Sequence, residues 1–398
     1  MDATRVLHKQ ITKFCQTIHA VRLRALLAAV ETVCAGAPLT VTGLGRWLRS
    51  KARMKHAIKR MDRLLSNRHL HGERFEVYAA QALLLLGGSL RPVILVDWSD
   101  LSHDRGYQLL RASVPVGGRA LTLYEEVHPL RVLGNRAVQR CFLERLAVLL
   151  PLGCVPIVVT DAGFTVPWFR LVAARGWDYV GRVKNRTYLL KDGSAWWWRA
   201  EALHVGAKKR PECLGRHTLA MSNPLACSVY RYHKPAKGRV KRNLDGSKSR
   251  SKHSLKRAKG NREPWLIATS LPAKAQLARV VVNLFAKRMQ IEEAFRDLKS
   301  RRFGLGFEHG RTTDPDRLGI LTLIATLATF ALWLVGQATR RRGVHRHYQA
   351  NTVSDSEVLS NIFLGIQVLR RGDDRPPPDA IRDALGDLHQ RVYAGAIA

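Results

Sequence analysis

Residues 91–100 read RPVILVDWSD. The run from Val93 to Val96 is apolar on both alternating faces and stops at Asp97, the pattern of a central strand buried on both sides. Residues 154–164, CVPIVVTDAGF, repeat the device and stop at Asp161. Between them lie YQLLRASVPVGG (107–118) and RALTLYEEVHPL (119–130), two strands around Gly117-Gly118, which signals a hairpin. Residues 134–150 read as a helix, and PWFRLVAARGW (167–177) as a shorter one. Strand, hairpin, helix, strand, helix predicts an α/β fold, a mixed sheet with flanking helices.

An acid at the end of a buried strand is costly unless a cation compensates it. Hard carboxylate oxygens suit Mg²⁺ or Mn²⁺, often shared with substrate phosphates. Each Asp taken alone reads equally as a helix cap or turn residue, since Asp97 precedes Trp-Ser-Asp and Asp161 precedes Ala-Gly-Phe.

Residues 280–300 read as one long helix. At about 100° per residue, Phe285, Arg288, Glu292, Arg296 and Lys299 share an arc of about 80°. Leu284, Ile291, Phe295 and Leu298 form the adjacent apolar stripe, while Glu293 and Asp297 point elsewhere. Glu292 is thereby the one acid set at the edge of the buried face, with cations above and below it. A solvated charge ladder does not require that arrangement.

The whole chain of 398 residues carries 66 Lys and Arg against 31 Asp and Glu, a formal charge of +35. Such a field selects polyanionic partners, nucleic acid first and an anionic membrane surface second. Residues 1–88 read as helical. Within them LTVTGLGRWLRSKARMKHAIKRMDRLLSN (39–67) looks like two helices around a turn at 48–51. The second places Met54, Ile58, Met61 and Leu65 on one stripe and Arg53, Lys55, Lys59, Arg60 and Arg63 around the rest, a helix-turn-helix suited to the major groove. Residues 177–274 read as strand-rich. Residues 234–262 within them carry 12 Lys or Arg against the single acid Asp245, a basic loop. The six scattered cysteines read as free thiols, and the N-terminus MDATRVLHKQ lacks a signal-peptide apolar region. Residues 318–336 are uncharged over 19 positions. That is nearly enough to span a bilayer, but an all-round apolar helix equally suits the centre of a large core, which is the reading preferred here.

RPVILVDWSD, SKARMKHAIKRMDRLLSNRHLH (50–71), LYEEVHPL (123–130), VTDAGFTVPWFR (159–170), EPWLIATSLP (263–272) and KRMQIEEAFRDLKS (287–300) together resemble the bacterial DDE transposases of the insertion-sequence-four family, Tn-ten type. The resemblance implies an RNase H-like catalytic domain, with a strand-rich insertion before the last catalytic helix and an N-terminal helical DNA-binding domain. On this reading the domains run 1–88, 89–176, 177–274, 275–340 and 341–398, the first binding DNA, the second and fourth catalytic, the third the insertion, the last a helical tail. It implies that Asp97, Asp161 and Glu292 are the metal-binding catalytic triad for two Mg²⁺ ions, with Mn²⁺ able to substitute. The family's Tyr-Arg-Glu-Lys helix motif maps onto Phe285, Arg288, Glu292 and Lys299. Phe285 departs from it, removing a hydroxyl that in the family would bond a DNA phosphate.

The implied activity is cut-and-paste transposition in the bacterial cytoplasm, at the nucleoid. Transposon inverted-repeat ends and target DNA would be the partners, with at least a dimer in the synaptic complex and no membrane. Arg288, Arg296 and Lys299 would contact DNA beside the triad, and Arg53, Lys55, Lys59 and Arg60 would contact it from the N-terminal helices. The hairpin intermediate of that pathway needs an aromatic platform for a displaced base. The family match is Trp265, with Trp196, Trp197 and Trp198 as rivals. A metal-dependent nuclease or resolvase, a catalytically impaired end-binding protein and a membrane-anchored protein are the competing readings.

Overall fold

A computed structural model describes residues 3–101, 106–184, 186–235, 247–252, 254–255, 263–300, 302–353 and 357–395. The basic loop expected at 234–262 falls largely outside the described residues. The chain divides into two compact units, one of residues 1–154 and 289–396, the other of residues 155–288. The helices before residue 88 share a unit with the strands that follow them, and the strand at 157–160 shares one with the strands of 178–269.

The first unit opens with five helices, α1 (Ala3–Phe14), α2 (Ala20–Cys34), α3 (Val41–Trp47), α4 (Met54–Leu65) and α5 (Arg68–Leu86). An antiparallel meander follows, β1 (Val93–Asp100), β2 (Tyr107–Pro115) and β3 (Ala120–Pro129), in spatial order β3-β2-β1. The β2–β3 turn is closed by Val116 N–H donating to the Arg119 carbonyl, and Gly117 and Gly118 hold φ of +85° and +80°. Two such values in succession favour glycine, so the Gly-Gly pair suits the tight hairpin turn. Helix α6 (Arg136–Leu149) starts under Asn135, whose side chain accepts from the Ala137 and Val138 amides.

The second unit holds β4 (Ile157–Thr160), α7 (Val166–Ala173), β5 (Asp178–Arg182), β6 (Tyr188–Lys191), β7 (Trp197–Arg199), β8 (Glu212–Leu219), β9 (Leu225–Tyr232), β10 (Trp265–Thr269) and α8 (Ala278–Ala286). Strands β4 and β5 pair in parallel and the rest antiparallel, in the order β4-β5-β10-β9-β8-β6-β7. The hydrogen bonding runs unbroken from β4 through to β7, which is why 155–288 is one body.

The first unit resumes with α9 (Met289–Lys299), α10 (Pro315–Arg341), α11 (Asn361–Arg371) and α12 (Pro378–Gly395). Asp314 caps α10 by accepting from the Asp316 and Arg317 amides, with Pro315 in the first turn. Long and apolar enough to cross a membrane, α10 has 94% of its apolar window buried inside the protein. It is the core helix of its unit, wrapped by α1, α2, α5, α11, α12 and β3. Helices α11 and α12 both pack on α10. Gly336 and Gly365 sit where α10 and α11 cross. A Cβ on Gly336 would strike the Asn361 carbonyl, and one on Gly365 the Leu332 carbonyl.

The helix expected over 280–300 is not continuous. It breaks into turns at Lys287 and Arg288, where the Arg288 amide donates back to the Phe285 carbonyl at 3.1 Å. That i to i−3 bond tightens the backbone and ends α8. A single helical projection from Phe285 through Lys299 is therefore invalid. It holds from Met289 onward only.

Candidate functional site

In the first unit the site is built on β1 and α9. Asp97 is only 9% exposed, at the point where the buried half of β1 gives way to half-exposed residues, and its Oδ1 accepts the Trp98 amide at 2.8 Å. Helix α9 packs on β1, β2 and β3. Two of its side chains show which face meets the sheet. Lys299 Nζ donates to Ser99 Oγ at 2.8 Å, and the Phe295 ring covers the Arg111 guanidinium at 4.9 Å. Ser99 follows Asp97 by two residues, so the two share a face of β1. Glu292 lies three residues before Phe295 and seven before Lys299, within about 60° of both around the helix, and is half-buried. Asp97, Glu292 and Lys299 thus belong to one sheet–helix interface. The break at 287–288 also places Glu292 in the first turn of α9, where the helix dipole favours a carboxylate.

Burial pushes the Lys299 amine below its ordinary value. Asp100 and Glu308 pull it up, and Arg111 pushes it down. Arg296 is exposed and pairs with Glu293, away from this face. Asp297 pairs with Arg119, and burial nonetheless raises its carboxyl above the usual range.

In the second unit Asp161 follows β4 and accepts the Gly163 amide at 2.6 Å. A Cβ on Gly163 would crowd that carboxylate, so the Asp-Ala-Gly turn fixes it. Arg182 on β5 is held at 3.3 Å from Glu263. Burial depresses the Arg182 guanidinium; Glu263 and Asp161 oppose that, while Arg288 reinforces it. Arg288 lies over the Phe285 ring at 5.6 Å. Phe285 is 1% exposed and meets the Trp265 ring edge-to-face at 4.9 Å. Lys234 Nζ stands 5.0 Å from the same Trp265 ring, and Tyr232 packs edge-on at 5.8 Å. Asp161, Arg182, Arg288, Phe285 and Trp265 therefore form one neighbourhood.

Trp196 and Trp198 are exposed, and β7 is the last strand of the order that begins at β4. Trp265 is on β10, two strands from β4, or about 10 Å at the usual strand spacing.

On α4, Arg53, Lys55, Lys59, Arg60 and Arg63 are all exposed, while Ala57, Met61, Leu64 and Leu65 are buried. Met54, expected on the buried stripe, is 52% exposed because the helix begins there. Helices α3 and α4 pack so closely that a Cβ on Gly45 would meet the Ile58 backbone.

Asp97 and Glu292 belong to one unit and Asp161 to the other. Among the described residues, no three His, Cys, Asp or Glu side chains gather closely enough to hold one metal ion. Strand β1 runs on through Asp97 to Asp100 rather than stopping at it, and the donor chemistry, hard carboxylate oxygens with one nearly buried, still fits a hard divalent cation. Sequence reasoning did not single out Arg111, Glu125, Arg182 or Glu263. Arg111 carried a signal, being the lone charge in the strand YQLLRASVP.

A nearly buried acid within β1 faces a helix, α9, that carries both carboxylates and cations. The profile of the transposase DDE domain matches residues 88–330, and the chain belongs to that family. No curated protein matches the chain significantly. Membership makes the protein an enzyme of the transposase–nuclease class acting on DNA, a class that generally uses divalent metals.

Proposed function

We propose that the protein is a cut-and-paste transposase with Asp97, Asp161 and Glu292 as its catalytic carboxylates on an RNase H-like domain. The reading is supported by Lys299, which lies on the same face of α9 as Glu292 and is tied to Ser99, two residues beyond Asp97 on β1. Asp97 would hold both Mg²⁺ ions, and Asp161 and Glu292 one each. Bound there, the ions supply activation of the attacking oxygen and stabilisation of the leaving one.

The chain's own residues supply orientation and charge. Lys299 and Arg288 clamp phosphates flanking the scissile bond, and Arg296 reaches DNA from the exposed side of α9. After the first nick, the freed 3′-hydroxyl attacks the opposite strand. A new phosphorus–oxygen bond forms as that strand's own 3′ bond breaks, the attacking hydroxyl loses its proton, and a DNA hairpin results. No protein–DNA covalent bond is needed. Trp265, with a cation over one face, is the platform for the base displaced at the hairpin tip. Its place two strands from β4 favours it over Trp196, Trp197 and Trp198. Arg53, Lys55, Lys59 and Arg60 on α4 bind the inverted-repeat ends in the major groove, and two protomers pair the ends.

The test is incubation with linear DNA carrying candidate transposon ends. Mg²⁺-dependent, hairpin-ended products are expected. Nicking without hairpins would favour a plain nuclease, and end binding without cleavage an impaired copy.

A further inference from the structure

The proposed chemistry leaves one basic, aromatic cluster unused, at the end of α10. Residues 340–348 read RRRGVHRHY, four arginines and two histidines without an acid. Arg340 pairs with Glu357, and Arg341 with Asp383 and Asp387, so those two serve the fold. Arg342 and Arg346 are exposed. The turn Val344–Tyr348 packs on α11, and beside it opens a surface cavity of about 420 Å³. His347, Tyr348, Gln349, Phe363, Gln367 and Arg371 line it. Its volume falls in the range of about 300–1,000 Å³ that suits small organic ligands.

The rings are held in place. The Tyr348 hydroxyl donates to Asp374 Oδ2 at 3.0 Å, and His347 Nδ1 lies 3.8 Å from the same oxygen. The Arg371 guanidinium stands 5.8 Å from the Tyr348 ring centroid. On α11 the Phe363 amide donates to the capping Ser360 Oγ at 3.2 Å, and the Phe363 ring meets Phe303 edge-on at 6.0 Å. Phe303 is 52% exposed, with the Arg302 guanidinium 5.1 Å from its centroid. A ring that stays half in water contributes little to folding, so burial alone does not account for this cluster.

A ligand matched to this lining offers a flat unsaturated face, a polar edge and a negative charge. An acidic aliphatic side chain lacks the first, and an apolar molecule lacks the other two. We infer that the cavity takes one nucleotide. Its base stacks on the Tyr348 and Phe363 rings, its polar edge meets the Gln367 amide, and its phosphate meets Arg371 and His347. The exposed Arg342 and Arg346 suit the phosphates of a continuing strand, so the occupant is an unpaired nucleotide of DNA rather than a free one. The site stands or falls independently of Asp97, Asp161 and Glu292.

The test is fluorine magnetic resonance of the full-length protein carrying 3-fluorotyrosine, with the Tyr348 signal assigned by its loss in Tyr348→Phe. Reading that one ring separates this site from DNA bound elsewhere on the basic surface. The probes are single-stranded (dA)₄, the same strand with all bases removed, and dAMP. The (dA)₄ strand should move the Tyr348 signal at a midpoint about fivefold or more below that of the abasic strand, the scale of one base stacked on a ring. Two variants then probe the cavity, each checked by its melting temperature. Ala350→Leu fills it from an exposed lining position, and Arg371→Met removes its exposed cation. Each should raise the (dA)₄ midpoint by about fivefold or more. A dAMP midpoint well above that of (dA)₄ supports a strand as the source, and equal midpoints overturn that source in favour of a free nucleotide. A Tyr348 signal that (dA)₄ leaves in place, or that the abasic strand moves at the same midpoint, overturns the nucleotide site. So does an unchanged midpoint in both variants.

Discussion

At the scale of single residues, two carboxylates show how position sets charge behaviour. Glu126 is buried, which pushes its carboxyl up. The His128 ring at 2.7 Å, Arg145 at 2.8 Å and the Tyr124 hydroxyl at 2.7 Å more than offset that and hold it below its usual value. A depressed carboxyl contributes stability above the unfolded group's pKa and loses it as pH falls through the folded one. Glu126→Gln is therefore expected to flatten the acid limb of a stability-versus-pH curve, measured by urea unfolding, and to leave its slope above neutrality unchanged. Asp297, raised by burial, has the opposite sign. Phe285 is a core residue, and Phe285→Ala should cost about 3–5 kcal/mol, as for a filled aromatic site, read from the same unfolding experiment. From the sequence Phe285 stood out only as the departure from a helix motif. Its packing against Trp265 is a contact 20 residues apart, which periodicity cannot report. Asp97 and Asp161 were legible as acids ending apolar runs, but their separation into two units was not.

At the scale of elements, local signals were read well where one segment carries its own pattern. The β2–β3 hairpin is set by Gly117-Gly118, and α10 by an unbroken apolar run closed by an Asp-Pro start. Strand β8 escaped notice because a bulge at Cys213/Gly215 interrupts its alternation. The break between α8 and α9 escaped because Lys287 and Arg288 are good helix formers, so no Pro or Gly marks it. The α10–α11 crossing depends on two glycines. Gly365→Val should destabilise the protein by about 1–3 kcal/mol, the usual range for overpacking, with no loss of helical far-ultraviolet signal. The basic face of α4 carries its own expectation. Lys55→Ala or Arg60→Ala should weaken end binding and reduce its salt slope by about 0.9 per lost phosphate contact. Lys59, paired with Asp62 at 2.8 Å, should matter less. Salt-dependent titrations would show it, and an unchanged slope in all three would remove α4 from the DNA interface.

At the scale of the whole molecule, a charge of +35 and the family match over 88–330 agree on DNA. The α/β class was readable because strands and helices alternate. The partition into 1–154 with 289–396, and 155–288, was not, because it follows strand pairing between distant segments. The account stands on three acids serving one reaction. The direct measurement is strand cleavage of end-bearing DNA in Mg²⁺ by Asp97→Ala, Asp161→Ala and Glu292→Ala, each beside a mobility-shift assay of end binding. The expected result is retained binding with cleavage abolished in all three. Robust cleavage by any one of them would contradict the account.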